Sequence, residues 1–196
     1  MSDFPEWTQL HRQIRACTAC GDSLPLGPNP ILSASPAARL LITSQAPGRR
    51  AHEATRTFAD ASGDRLRTWL GLTPDVFYDA ARVAIVPMGM CYPGTAETGG
   101  DLLPHARCAA KWHAPILAQL SNVKLTLLVG RLAQVEYLPD PRASMSHAVA
   151  AWRSYLPRYI PLPHPSWRTI GWAKRNPWFE AEMLPALRMR IADILK

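Results

Sequence analysis

The chain has four cysteines, and their spacing is its most specific chemical feature. Cys17 and Cys20 are separated by two residues, Cys91 and Cys108 by sixteen. A Cys-x-x-Cys pair lets two thiolates reach one metal centre, and two distant cysteines from a loop can close the shell. Cysteine-only ligation suits a 4Fe–4S cluster or, alternatively, zinc. Two other readings compete. Four unrelated thiols need no centre at all. A redox dithiol usually opens a helix after a strand, whereas this pair closes a helix. A structural metal centre is the expectation adopted.

The second group is His164-Pro165-Ser166-Trp167. Pro163 and Pro165 flank the histidine and would hold its ring still. A neutral imidazole can donate to a developing oxyanion, and the Ser166 hydroxyl can bind a phosphate. The plainer alternative is a hydrogen-bonded loop histidine. The stretch that follows mixes Arg168, Lys174 and Arg175 with Ile170 and Trp172. That composition suits phosphate contacts and insertion into a duplex; a solvated loop with one Trp tucked into the core would look the same. Third is Phe58, whose ring could stack on a planar ligand or simply be core. Asp60 and Asp64 flank a helix start, and helix capping accounts for Asp64 better than for Asp60. Fourth is the turn Ser44-Gln45-Ala46-Pro47-Gly48, which closes an apolar, partly β-branched run.

These residues need elements to position them. Trp7, Leu10 and Ile14 have helical spacing, and a proline-rich connection follows the first two cysteines. Strands are expected at about 39–45, 82–87, 124–130 and 158–162. A helix capped by Ser62 should carry Leu66, Trp69 and Leu70, with Gly71 as its stop. A short helix is expected at 75–81. A long Gly- and Pro-rich loop, 88–105, leads into a helix with Cys108, Trp112, Ile116 and Leu120. Leu132, Val135 and Leu138 suggest the next helix, and Met145, Val149, Trp152 and Leu156 another. The last helix starts at Asn176-Pro177, with a kink expected at Pro185. Strands alternating with helices imply a parallel sheet covered on both faces. In such a sheet the loops that follow the strands share one edge, where open α/β folds bind ligands.

Composition bounds the function. With 196 residues, 47% hydrophobic and 19% charged, the chain reads as one globular domain over 1–196. No apolar run is long enough to span a membrane, and no secretory signal opens the sequence, so a cytoplasmic, monomeric protein is expected. A net charge of +7 favours a polyanion as partner.

Taken together, these motifs resemble the uracil-DNA glycosylase superfamily, most closely its iron–sulfur branch, often called family 4. The likeness runs from Cys17 to the last helix. It rests on the order Cys17/Cys20, Ser44 to Gly48, Thr57-Phe58, Cys91/Cys108 and His164-Pro165-Ser166. The resemblance implies a three-layer α/β/α sandwich around a four-stranded parallel sheet. It implies hydrolysis of the N-glycosidic bond of a deaminated base in DNA, as in base excision repair. Phe58 would stack on the flipped ring, the Gln45-Ala46 turn would bind a base carbonyl, and His164 would stabilise the departing base. Ser166 would hold a phosphate, and Trp167 to Trp172 would fill the gap in the stack. Arg168, Lys174 and Arg175 would contact DNA. A 4Fe–4S cluster on the four cysteines would be structural.

The chain departs from the family pattern at three positions. The iron–sulfur branch carries Glu where this chain has Gln45, and the uracil-specific branch carries Asp where it has Ala46. The Asn that reads the uracil edge falls on Pro87. Hypoxanthine and xanthine therefore join uracil as candidate bases. Either Gln45 or another carboxylate would orient the water, Asp60 first and Glu53 next. Two alternatives stand beside this reading: a glycosylase-like module that binds DNA without cutting it, and a cluster-bearing redox protein.

Overall fold

The computed structural model describes residues 4–196. Four short strands form one sheet: β1 (Leu40–Thr43), β2 (Val83–Ile85), β3 (Leu125–Val129) and β4 (Tyr159–Leu162), in the order β2-β1-β3-β4. All three pairings are parallel, with Ile42 opposite both Ile85 and Leu127, and Leu128 opposite Pro161. Pro161, which cannot donate to a ladder, sits on an edge strand where no donor is needed. The strands show no inside–outside alternation because both faces are covered.

Nine α-helices lie among the described residues: α1 (Pro5–Arg15), α2 (Arg49–Glu53), α3 (Ala61–Leu70), α4 (Pro74–Phe77), α5 (Ala106–Gln119), α6 (Arg131–Tyr137), α7 (Met145–Ala150), α8 (Arg168–Arg175) and α9 (Leu184–Ile194). On one face, Leu40, Ile42, Val83, Ile85, Leu125 and Leu127 pack against Leu66 and Leu70 of α3 and Leu187 and Ile191 of α9. On the other, Leu41 and Ala84 meet Trp7 and Ile14 of α1 and Trp112 and Ile116 of α5. This is the expected three-layer sandwich. Among the described residues no helix is long and apolar enough to cross a membrane.

Local departures from the sequence reading each have a cause. Asp60, rather than Ser62, caps α3: its side chain accepts from the Gly63 amide at 3.0 Å. Val135 is exposed, because α6 is turned so that buried Gln134 donates to the Leu162 carbonyl of β4 at 2.9 Å. The helix expected through Trp152 and Leu156 ends at Ala150, and a 3₁₀ turn takes over at Trp152–Tyr155. Residues 168–175 form α8 rather than a loop. Gly171 and the basic residues hide its period, and only Thr169, Trp172 and Ala173 are buried. Ahead of Pro185, Phe179–Met183 forms a wider π turn, which relieves the clash between the proline ring and the carbonyl four residues back.

Candidate active site

The carboxyl ends of the strands build a small cavity of about 70 Å³. Its wall comes from Ser44, Ala46, Pro47 and Gly48 after β1, from Thr57, Phe58, Asp60 and Ser62 ahead of and within α3, from Pro87 after β2 and from His164 after β4; Asp101 completes it. Five stretches of the chain thus meet, three of them because a parallel sheet brings its strand ends to one edge.

The turn after β1 is pinned by its neighbours. The Ser44 carbonyl accepts from the Met88 amide at 2.7 Å, and the Gln45 carbonyl from the Gly89 amide at 2.9 Å. Gln45 itself does not line the cavity: its side-chain nitrogen donates to the Leu102 carbonyl at 3.1 Å, tying the 88–105 loop to the turn. Ala46 and Pro87 do line it. The Pro87 carbonyl is held from behind by buried His113, whose Nε2 lies 2.9 Å away while its Nδ1 meets the Tyr137 hydroxyl at 2.6 Å. A carbonyl can only accept, so the ring carries its proton on Nε2 and Tyr137 donates to Nδ1. Burial keeps His113 below the ordinary histidine pKa, consistent with that neutral form.

Phe58 has a left-handed backbone, φ 53°, uncommon for an aromatic residue. It is held there by the Tyr78 hydroxyl, which donates to the Phe58 carbonyl at 3.0 Å. That carbonyl lies over Gly63 so closely that a Cβ there would meet its oxygen at 1.9 Å. Thr57 beside it is buried, and among the described residues its hydroxyl has no hydrogen-bond partner.

His164 is exposed yet flanked by protein, its Cδ2 lying 3.8 Å from where Gly130 would carry a Cβ. Loss of bulk water lowers its pKa, and the Asp60 charge pulls it back up. The ring is held by its own loop: the His164 carbonyl accepts from the Ser166 amide at 2.8 Å and from the Thr169 hydroxyl. Ser166 is half-buried beside this turn, outside the cavity wall. Trp167 is 72% exposed and Trp172 8%, so only the first projects from the surface. Trp172 belongs to the core and donates its indole N–H to Ser146 at 2.7 Å. Arg168, Lys174 and Arg175 are exposed, with the Arg168 guanidinium over the Trp167 ring.

A second cavity, of about 290 Å³, gathers Cys17, Cys20, Cys91 and Cys108 in its wall. Leu24, Pro30, Leu102, Leu103 and Trp112 give it an apolar lining. Among the described residues, no three His, Cys, Asp or Glu side chains stand close enough together to hold a single metal ion. The Met90 amide points at Cys108 Sγ from 3.4 Å. Burial pushes the Cys91 thiol up to about 11, opposed by a backbone hydrogen bond from Asn29.

The sequence reading missed Asp101 and His113, and placed Thr57 in a motif without giving it a role. Asp101 follows Gly99-Gly100 in a loop taken only as a spacer between two cysteines, and an acid behind two glycines was its one signal. Nothing in the sequence marks His113 apart from other residues of α5. The model of the uracil DNA glycosylase superfamily matches residues 33–188, which span β1 to β4 and every part of the smaller cavity. With the sheet, the turn after β1 and the histidine after β4 in their places, the chain belongs to the uracil DNA glycosylase superfamily.

Proposed function

We propose that the protein is a DNA glycosylase that hydrolyses the N-glycosidic bond of a deaminated base, within base excision repair. The observation that carries this is the convergence of Phe58, His164 and the Ser44–Gly48 turn on one cavity at the carboxyl edge of the sheet. A target base must leave the stack to be reached. Once flipped, its ring would lie against Phe58, and the unpartnered Thr57 hydroxyl and the turn backbone would offer hydrogen bonds to its carbonyls. Pro87 presents an apolar wall where a side-chain amide would read a ring edge, so uracil, hypoxanthine and xanthine are all candidate substrates. His164, neutral near pH 7, would donate to an oxygen of the departing base as negative charge develops there. Ser166 and the cations of α8 would hold flanking phosphates, with exposed Trp167 entering the gap left by the base.

The four cysteines would hold a 4Fe–4S cluster. The wide cavity and the N–H groups aimed at Cys91 and Cys108 suit a cluster better than a single zinc ion, which needs all four sulfurs about 2.3 Å from one point. When bound, the cluster supplies a covalent tie between the end of α1, the 88–105 loop and α5, and takes no part in the hydrolysis. Release of free base from oligonucleotides carrying uracil, hypoxanthine or xanthine tests the reading. The wild type should release one of them, and His164→Ala should slow that release by about 10²–10³-fold. Tight binding with no release from any substrate would leave a DNA-binding module.

A further inference from the structure

We infer that Asp101 is the general base of this reaction, taking the proton of the attacking water while Asp60 helps to hold that water in line. The inference rests on the glycosylase reading above and assigns the step that neither Gln45 nor Ala46 can perform.

The geometry centres on Gly48. Its backbone, φ −77° and ψ 174°, is one that any residue adopts, so no turn conformation requires glycine there. A side chain there would instead crowd two acids. A Cβ on Gly48 would stand 3.2 Å from Asp101 Oδ2 and 3.8 Å from Asp60 Oδ2. Two carboxylate oxygens therefore come close to a bare Cα in a cavity wall that His164 also lines.

The two acids are not equivalent. Asp60 spends Oδ1 on the Gly63 amide at the start of α3, where the helix dipole also favours its charge. Asp101 has no such anchor: among the described residues its carboxylate accepts no hydrogen bond, although the backbone that carries it is well held. Thr95 pairs with Asp101 in an antiparallel bridge, the Gly100 carbonyl accepts from the Ala96 amide at 2.8 Å, and the Gln45 side chain grips Leu102. The residue is exposed, but the rim takes part of the water from its carboxyl; that desolvation, and then the Asp60 charge, raise the Asp101 pKa. Asp60 is thus committed to its helix through one oxygen, and among the described residues Asp101 keeps both oxygens for a water and its proton.

In the step, a water O–H bond breaks and its proton goes to the Asp101 carboxylate as the oxygen bonds to the sugar C1′. The C1′–N bond breaks with its electron pair leaving on the base. The base anion, held by His164, is neutralised when Asp101 returns the proton through solvent.

The test compares wild type, Asp101→Asn and Asp60→Asn for single-turnover base release and for binding to the same oligonucleotide. Asp101→Asn should lose about 10²–10⁴-fold in release while binding DNA at least as tightly, since it removes a negative charge. It should also lose the fall in rate that the wild type shows on acidification. The groups facing Asp101 that could shape that limb are Asp60 from α3, His164 after β4 and Arg168 from α8, whose Nη1 lies 3.3 Å from where Gly100 would carry a Cβ. Asp101 is an exposed loop residue, and Asp101→Asn should fold. If it does not, Asp101→Ser, which removes the carboxylate at an exposed loop position, decides by the same assay: a slowed release with binding retained supports the assignment and an unchanged rate overturns it. Release by Asp101→Asn within about threefold of wild type overturns the inference and leaves the glycosylase reading intact. A loss confined to weaker binding also overturns it, making Asp101 a DNA contact. Wild type that binds but releases no base from any substrate removes the reading itself, and the inference with it.

Discussion

Two tryptophans five residues apart show how one stretch divides its work residue by residue. Trp167 stands at the start of α8 and is 72% exposed, with the Arg168 guanidinium over its ring. Trp172 is packed edge-on against Trp178 and Phe179 and satisfies its indole N–H on Ser146. Removing a buried aromatic leaves a cavity and costs about 3–5 kcal/mol, whereas an exposed ring contributes little to folding. Trp167→Ala should therefore unfold in urea at the wild-type midpoint but bind and process duplex DNA more weakly. Trp172→Ala should lose much of its stability and lose activity only through that. A Trp167 variant that melts early would place this ring in the fold rather than on DNA. The sequence showed both tryptophans in a suggestive stretch and could not sort them, because helical phase decides the matter and Gly171 and the cations obscured the helix. Gln45 illustrates the same limit. Its position in the turn was legible, but the direction of its side chain, toward Leu102 and away from the cavity, depends on a loop that arrives from elsewhere in the chain.

Among the elements, α3 shows how a fold holds a strained residue. Asp60 caps the helix, Gly71 ends it in a left-handed conformation with φ 67°, and the helix buries Leu66, Trp69 and Leu70 against the sheet. Its first turn also serves as the bed for the Phe58 backbone, which lies across Gly63. Left-handed backbone at a non-glycine residue costs on the order of 1 kcal/mol or more and persists only where its surroundings impose it. Gly63 and Tyr78 impose it here, and so fix Phe58 in the cavity wall, with its ring edge-on to Phe77 at 6.1 Å. A methyl at Gly63 has no room, since the atom it meets is backbone and cannot swing away. Gly63→Ala should lower the melting temperature and should impair base release more than the stability loss accounts for, because Phe58 moves with it. Unchanged melting and activity would show that the approach of Phe58 to α3 is loose. The start and stop of α3 could be read from the sequence to within two residues, because caps are local chemistry. The embrace of Phe58 could not, because a glycine in a first helical turn is otherwise unremarkable.

At the scale of the molecule the question is how an acidic cavity meets a polyanion. Asp60 and Asp101 set negative charge at the point where a nucleotide would enter, which opposes the approach of phosphates. The rest of the chain offsets this: 22 Lys and Arg against 15 Asp and Glu leave a net +7. The sheet edge that gathers the cavity also carries α8, so exposed Arg168, Lys174 and Arg175 lie close in sequence to His164 and Ser166. The parallel sheet, its order of elements and the meeting of the strand ends were legible because strands buried on both faces leave continuous apolar runs. The Asp60–Asp101 pair was not, because it is a contact between two loops whose sequences carry no shared pattern. Its consequence can be tested by salt. Each phosphate neutralised by a cation releases counterions and contributes about −0.9 to the slope of log affinity against log salt for duplex DNA. Replacing Arg168, Lys174 or Arg175 by Gln should each flatten that slope by about one, with the loss of affinity equal for damaged and undamaged duplexes. Asp101→Asn should leave the slope as it is and raise the intercept, since it removes a repulsion without adding a phosphate contact. Slopes unchanged in all three cation variants would move the DNA path off α8 and onto another basic face.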